Sequence, residues 1–374
     1  MKSTDSFFVR LISFSLYSII IHSLTFAQTY HFEHISVEQG LSQSTVECIL
    51  QDRQGFLWFG TDDGLDKYDG YKFIVYRHEP HNANSLSNNQ VFSILEDDSG
   101  LLWVGTDGGL NSFDRSTKTF ERFSHHQLDS TSTEENRITS ICEDKKDALW
   151  IGTEDNGLFR LKKGNRSLKK FEHFKFDPKD TGSLSNNFVA SICVDENGVV
   201  WIGTHGGLDR FEPGSNTITR FQHNSYDPNS ISSNITKYVY EDHNNILWIT
   251  TGNALNSFDK VNQSFRRYLN DIGNPNMDFD EWRSVILDDF QDKNGLWFGT
   301  EHGLIYFDRL NKTFKAYRHD PENPYSLAGD FINSIYEDYT GVIWIGSRNR
   351  GLNKLDRRLT SLAPHLRGQA VLPR

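Results

Sequence analysis

Acidic, basic and amide side chains recur at one kind of place in this chain, directly after a short phrase that begins with tryptophan. They are Asp62-Asp63, Asp107, Glu154-Asp155, His205, Asn253, Glu301-His302 and Arg348-Asn349-Arg350. Carboxylates converging on one mouth would suit general acid–base work of the kind that cleaves glycosides. Aspartate before glycine is also ordinary turn chemistry, and its return at equivalent places favours that plainer reading. The Asp-x-Asp ladder of a calcium loop is absent, and no cysteine–histidine spacing suggests zinc, so no metal or cofactor is expected. A second set is aperiodic: Asp280, Glu281, Trp282 and Arg283. A flat apolar ring beside two acceptors and a guanidinium suits stacking on a sugar and holding its hydroxyls. A tryptophan anchoring a linker would be buried there equally well. Asn253, His302 and Arg348 join this set as candidate ligand-binding residues, and no residue is assigned a catalytic role.

What must position these groups is a repeat. The phrase occurs as Trp58-Phe59-Gly60-Thr61, Trp103-Val104-Gly105-Thr106, Trp150-Ile151-Gly152-Thr153, Trp201-Ile202-Gly203-Thr204, Trp248-Ile249-Thr250-Thr251, Trp297-Phe298-Gly299-Thr300 and Trp344-Ile345-Gly346-Ser347. Spacings of 45 to 51 residues mark a chain of repeated supersecondary units. In the second unit Val91–Leu95 is a β-rich run, Glu96–Gly100 a turn cluster, and Leu102–Thr106 a second strand. Asp107-Gly108-Gly109 turns into Leu110–Asp114, and Thr119–Phe123 is a fourth strand. Four short strands per period predict an all-β, seven-bladed β-propeller with almost no helix.

Ring closure is also legible. Six units carry an outer strand: Lys72–Tyr76, Thr119–Phe123, Leu168–Phe174, Ile218–Phe221, Ser264–Tyr268 and Thr313–Tyr317. The seventh does not, because Leu359 to Pro364 holds no aromatic and ends on a residue that cannot donate to a ladder. Tyr30–Ile35 resembles an outer strand without its first three, so it is expected to complete the last blade and protect its edges.

Residues 1–27 read as a signal peptide, with Lys2 and Arg10 flanking an apolar run and Thr25-Phe26-Ala27 as the cleavage site. An uncleaved anchor is the alternative; His22 interrupts the run, which is short for a span. Residues 28–358 are the propeller and 359–374 an irregular tail, read as the end of a truncated gene or a broken reading frame. A net charge of −11 with no basic cluster argues against nucleic acid and anionic membranes. Cys48, Cys142 and Cys193 fall in first strands and are expected as small buried hydrophobes without a disulfide. The seven repeated tryptophans are expected in the core. Blade five breaks the pattern with Thr250 and Ala254 where glycines recur, and the linker after it abandons the usual Ser-Leu phrase.

The Trp-Ile-Gly-Thr…Gly-Leu phrase, the Glu-Asp…Gly turn before it, and linkers such as His223–Ser230 and His319–Leu327 resemble the two-component regulator propeller repeat. That family supplies periplasmic sensor regions of Bacteroidetes-type hybrid two-component systems. The resemblance covers roughly residues 30 to 356. It implies an extracytoplasmic, periplasmic sensor for a small molecule, expected to be an oligosaccharide. It also implies a histidine kinase partner, separately encoded or lost, since no kinase follows in this sequence; a homodimer is compatible with it. A protein-docking scaffold is the alternative, betrayed by a broad exposed apolar patch. A propeller hydrolase or lyase is a further one, needing two acids, or a histidine and an acid, in one pocket.

Overall fold

The computed structural model describes residues 30–123, 137–166, 169–268 and 285–360. Among them stand seven four-stranded antiparallel sheets, all within Phe32–Asp356. Six sheets are each made of four consecutive strands, as in Val91–Glu96, Leu102–Thr106, Gly109–Asp114 and Thr119–Phe123 of blade two. Blade seven takes Ile332–Glu337, Ile343–Ser347 and Gly351–Leu355 and borrows Phe32–Ile35 as its outer strand. The borrowed strand pairs Phe32 with Leu355 and Ile35 with Leu352. Each innermost strand touches that of the next blade, and the last returns to the first, so the ring closes as expected.

Strand bounds follow the sequence reading closely. The outer strand of blade three is shorter, Glu172–Phe174, and ahead of it Lys163–Asn165 forms a single 3-10 turn. Among the described residues the other helical pieces are Val37–Gln39 and Arg357–Thr360, and no helix is long and apolar enough to cross a membrane.

The blades stack through their repeated tryptophans. Trp58, Trp103, Trp150, Trp201, Trp248, Trp297 and Trp344 are all buried. Trp58, Trp150, Trp201, Trp248 and Trp344 meet an aromatic of a neighbouring blade edge-on or tilted, as Trp58 meets Phe113 at 5.5 Å and 67°. Truncating one such ring costs about 3–5 kcal/mol. The glycine of the phrase allows the sheets to approach. A Cβ on Gly60 would lie 2.4 Å from Cys48 Sγ and 2.7 Å from Val91 of the next blade. In blade five Thr250 occupies this place and is buried; the residue of blade six that would oppose it, Arg283, is outside the described residues.

Linkers are latched to the sheets by a polar residue of the third strand. Asp66, Asn111, Asp209 and Asn256 accept from the backbone N–H of Ser42, Ser87, Ser185 and Ser232, and Asn353 accepts from Ala328. The matching residues of blades three and six are Phe159 and Ile305, facing Ile151 and Phe298. The linkers before those two blades lack the Ser-Leu phrase. Asn111 spends its amide on Ser87 Oγ and the carbonyls of Val104 and Gly109. The Asp66 and Asp209 oxygens at the same place, their Oδ1 atoms, have no partner. Burial pushes Asp66 up to about 6 and Asp209 up to about 7, against the hydrogen bonds from Ser42 and Ser185. Below those values a proton on Oδ1 would let these carboxyls donate as the amides of Asn111 and Asn256 do.

The cysteines are half-buried rather than enclosed, and no disulfide joins them. The reason is their strand, which forms the wall of the central channel. Cys48 lines that channel directly. Burial still raises the thiols of Cys142 to about 11 and Cys193 to about 12.

Candidate functional site

Inside each innermost strand the pairing slips by one residue. Val46 faces Thr61, but Cys48 faces Gly60, so Glu47 is an inserted, bulged residue. The same shift inserts Phe92, Thr139, Ala190, Lys237 and Asn333 in blades two, three, four, five and seven. A bulge turns its extra side chain away from the regular alternation. All six line one cavity of 460 Å³ on the channel. Counting from Val285 opposite Gly299, the sixth blade's equivalent is Ser284, outside the described residues.

Above the bulges, in blades two, three, four, five and seven, the turn after the second strand is fastened to the residue just before the innermost strand of the same blade. The amides of Asp107, Glu154, His205, Gly252 and Arg348 donate to the carbonyls of Gln90, Arg137, Phe188, Ile235 and Phe331, at 2.9–3.2 Å. Turns and linkers therefore share one face, as the strand order predicts. Side chains follow these backbone ties. His205 stacks on Phe188 with centroids 3.8 Å apart and planes 5° apart. Arg137 binds Asp107 at 2.7 Å and Glu154 at 3.2 Å, and its guanidinium lies 4.8 Å over Phe92. Burial works against the charge on Arg137, but Asp107, Glu154 and Glu47 outweigh it and raise its pKa. Burial, and then Lys237, hold His205 below its ordinary value.

This mouth offers both charge signs, a neutral imidazole and two phenyl rings around a space of small-molecule size. The Asp107 and Glu154 carboxylates are joined to one guanidinium, so they hold an arginine in place rather than standing as an open acid–base pair. Among the described residues no group of three or more histidine, cysteine, aspartate or glutamate side chains is arranged to hold a metal ion.

Of the candidate residues read from the sequence, Asp280, Glu281, Trp282 and Arg283 lie outside the described residues. Asn253 is exposed, and its side-chain amide donates to Ser232 O, in the linker leading into the same blade, at 3.2 Å. His302 is exposed on the turn of blade six, its amide held by Thr300 Oγ1. Arg348 lies 5.1 Å over Phe331 and borders a separate groove of 450 Å³ with Glu301, His319, Asp330 and Arg350. None of these three lines the channel cavity. Sequence reasoning missed Glu47, Phe92, Arg137, Phe188 and Lys237. For Glu47, Phe92 and Lys237 a signal was available: within repeats that otherwise agree, the second residue of the innermost strand changes every time.

Five stretches of the chain, 40–63, 85–108, 134–155, 183–206 and 326–349, match the family described as two component regulator propeller. Over 87 residues the chain is 40% identical to Histidine kinase P4 of Formosa agariphila, a match covering 23% of this chain and 6% of that protein. The fold matches the extracellular domain of a hybrid two component system from B. thetaiotaomicron with a TM-score of 0.72 and 26% identity, over 88% of this chain and 42% of that one. The chain thus spans less than half the length of that domain. Virginiamycin B lyase from Staphylococcus aureus is similar at a TM-score of 0.62 and 12% identity, over 87% of this chain and 99% of the lyase, a likeness of fold alone.

Proposed function

We propose that this chain, five of whose stretches match the two component regulator propeller family, is the extracytoplasmic ligand-binding sensor part of a two-component signalling system. It recognises an oligosaccharide and acts through a histidine kinase. The observation that carries this reading is the 460 Å³ channel cavity. Phe92 and Phe188 supply apolar ring surface, and Glu47, Arg137, Glu154, His205 and Lys237 supply donors and acceptors, the mixture that a polyhydroxylated ring requires. The similarity to extracellular sensor domains supports the periplasmic placement, with residues 1–27 as the export signal. The protein binds without cleaving, a reading supported by Asp107 and Glu154 being tied to Arg137.

The test is calorimetric titration with neutral and acidic oligosaccharides of two to eight sugars. Saturable binding, weakened about tenfold or more by Arg137→Ala with the melting temperature retained, supports the reading. Trp282→Ala is the second arm, expected to weaken binding by about 1–3 kcal/mol if that ring stacks on the sugar. Absence of binding by every oligosaccharide, or appearance of shortened products, overturns it.

A second reading has its own observation. Phe290, Leu310 and Tyr339 are 67%, 72% and 68% exposed on turns of blades six and seven, on the face opposite the channel mouth. A protein partner, whether a kinase-bearing chain or a second copy of this one, would dock on such a surface.

A further inference from the structure

Repetition within one chain separates what the scaffold needs from what a site needs. Every blade must satisfy the same packing, so positions that serve packing repeat. Before the bulge stand Val46, Val91, Ile138, Val189, Thr236 and Ile332, all β-branched and buried. Two residues after the bulge stand Ile49, Ile94, Ile141, Ile192, Val239 and Ile335, again β-branched and apolar. Between them the bulged residue is glutamate, phenylalanine, threonine, alanine, lysine and asparagine, with no two alike. The fold places no demand on this side chain beyond the bulge, yet all six line one cavity.

We infer that the bulged residues Glu47, Phe92, Thr139, Ala190, Lys237 and Asn333 form the selectivity ring of the channel, deciding by charge and size what enters it. The inference rests on the reading of the channel as the binding site. Blade order sets Glu47 and Lys237 on opposite sides of the ring, blade one against blade five. Arg137 between them is paired with two acids, Asp107 and Glu154, and adds no net positive charge. The ring therefore has an acidic and a basic side. Its occupant is a dipolar molecule, with donor groups toward blade one and acceptor or anionic groups toward blade five.

Cys48 lines the same cavity and provides a probe that needs no natural ligand. The full chain is treated with a cationic and an anionic methanethiosulfonate, and the rate of modification at Cys48 is followed by peptide mass mapping. Glu47→Gln is expected to lower the ratio of cationic to anionic rates about threefold or more, and Lys237→Gln to raise it by a similar factor. Arg350→Gln, in the blade seven groove outside the channel, leaves the ratio unchanged. Unless both bulge variants move the ratio in these opposite directions, the inference is overturned. It is equally overturned if Arg350→Gln moves the ratio as far, or if neither reagent reaches Cys48. Because no oligosaccharide is involved, failure of the ring and failure of sugar binding are seen separately.

Discussion

Asp97 accepts a 2.8 Å hydrogen bond from the indole of Trp103, and both side chains are buried between blades. The pair recurs in every blade, as Asp52–Trp58, Asp144–Trp150, Asp195–Trp201, Asp242–Trp248, Asp289–Trp297 and Asp338–Trp344, at 2.8–3.0 Å. The other carboxylate oxygen closes the turn, accepting from the amides of Ser99 and Leu101. A cation from the following blade completes the clamp where Arg115 reaches Asp52, Arg166 reaches Asp97, Lys260 reaches Asp195 and Arg309 reaches Asp242. Lys260 comes from the following blade as the arginines do, but supplies an ammonium in place of a guanidinium. One aspartate thus joins a turn, a core ring and a neighbouring sheet.

Asp97→Ala leaves the Trp103 indole, two turn amides and part of Arg166 without their acceptor. Loss of roughly 3 kcal/mol or more of unfolding free energy is expected in urea titration. Burial alone would raise the Asp97 pKa, but Ser99, Trp103, Leu101 and Arg166 outweigh it and hold it below the ordinary value. Its contribution is therefore full above the unfolded value near 4 and fades as pH falls through the folded one. The wild-type advantage should shrink between about pH 5 and pH 2; an advantage independent of pH would contradict the assignment.

Asp66 and Asp209 act in the opposite sense. Their folded pKa values, about 6 and about 7, lie above those of the unfolded chain. Their contribution is complete below the unfolded value near 4 and is lost as pH rises through the folded ones. Asp209→Asn should stabilise the protein by about 1–3 kcal/mol at pH 8 and hardly at all at pH 4, with Asp66→Asn behaving alike. Denaturation curves at the two pH values check this. Equal effects at both would mean that the carboxyls are not protonated in the fold.

The closing strand is expected to be indispensable. Phe32 donates its amide to Tyr325, His34 bonds Ser326 at 2.7 Å, and Glu33 pairs with Lys354. Deleting residues 30–35 exposes the edge of Gly351–Leu355. Light scattering and thermal melting should report association and a lower melting temperature. A monomer that melts like the full chain would remove the strand from the closure.

Gly60→Ala tests the approach between blades. Its methyl would lie within 3 Å of Cys48 Sγ and of Val91 side chain and carbonyl. The expected cost is about 1–3 kcal/mol in chemical denaturation, since backbone as well as side chain must yield. The exposed Gly214, whose Cβ would meet nothing within 4 Å, is the control for which Ala leaves stability nearly unchanged.

Blade number, strand bounds and closure were legible because packing between equivalent sheets imposes the same residues at the same spacing. The tryptophans announced the core, and Thr119–Phe123, Ser264–Tyr268 and Thr313–Tyr317 stand as read. The partner of each indole was also written in the chain, as the aspartate of the Glu-Asp turn, but pairing it required knowing that the turn folds back over the ring. The Asp or Asn after Gly-Leu carried the linker latch in the same way, visible only once Ser87 is seen against Asn111. What the tertiary structure alone decided is the site. A bulge is a relation between two strands, and Val46-Glu47-Cys48 does not reveal it until Thr61 and Gly60 stand opposite. Glu47 and Lys237 are 190 positions apart in the chain and meet across one cavity only because the ring closes. Periodicity encodes the wall of a propeller residue by residue; the contents of its channel arise from closure, which no local stretch of sequence contains.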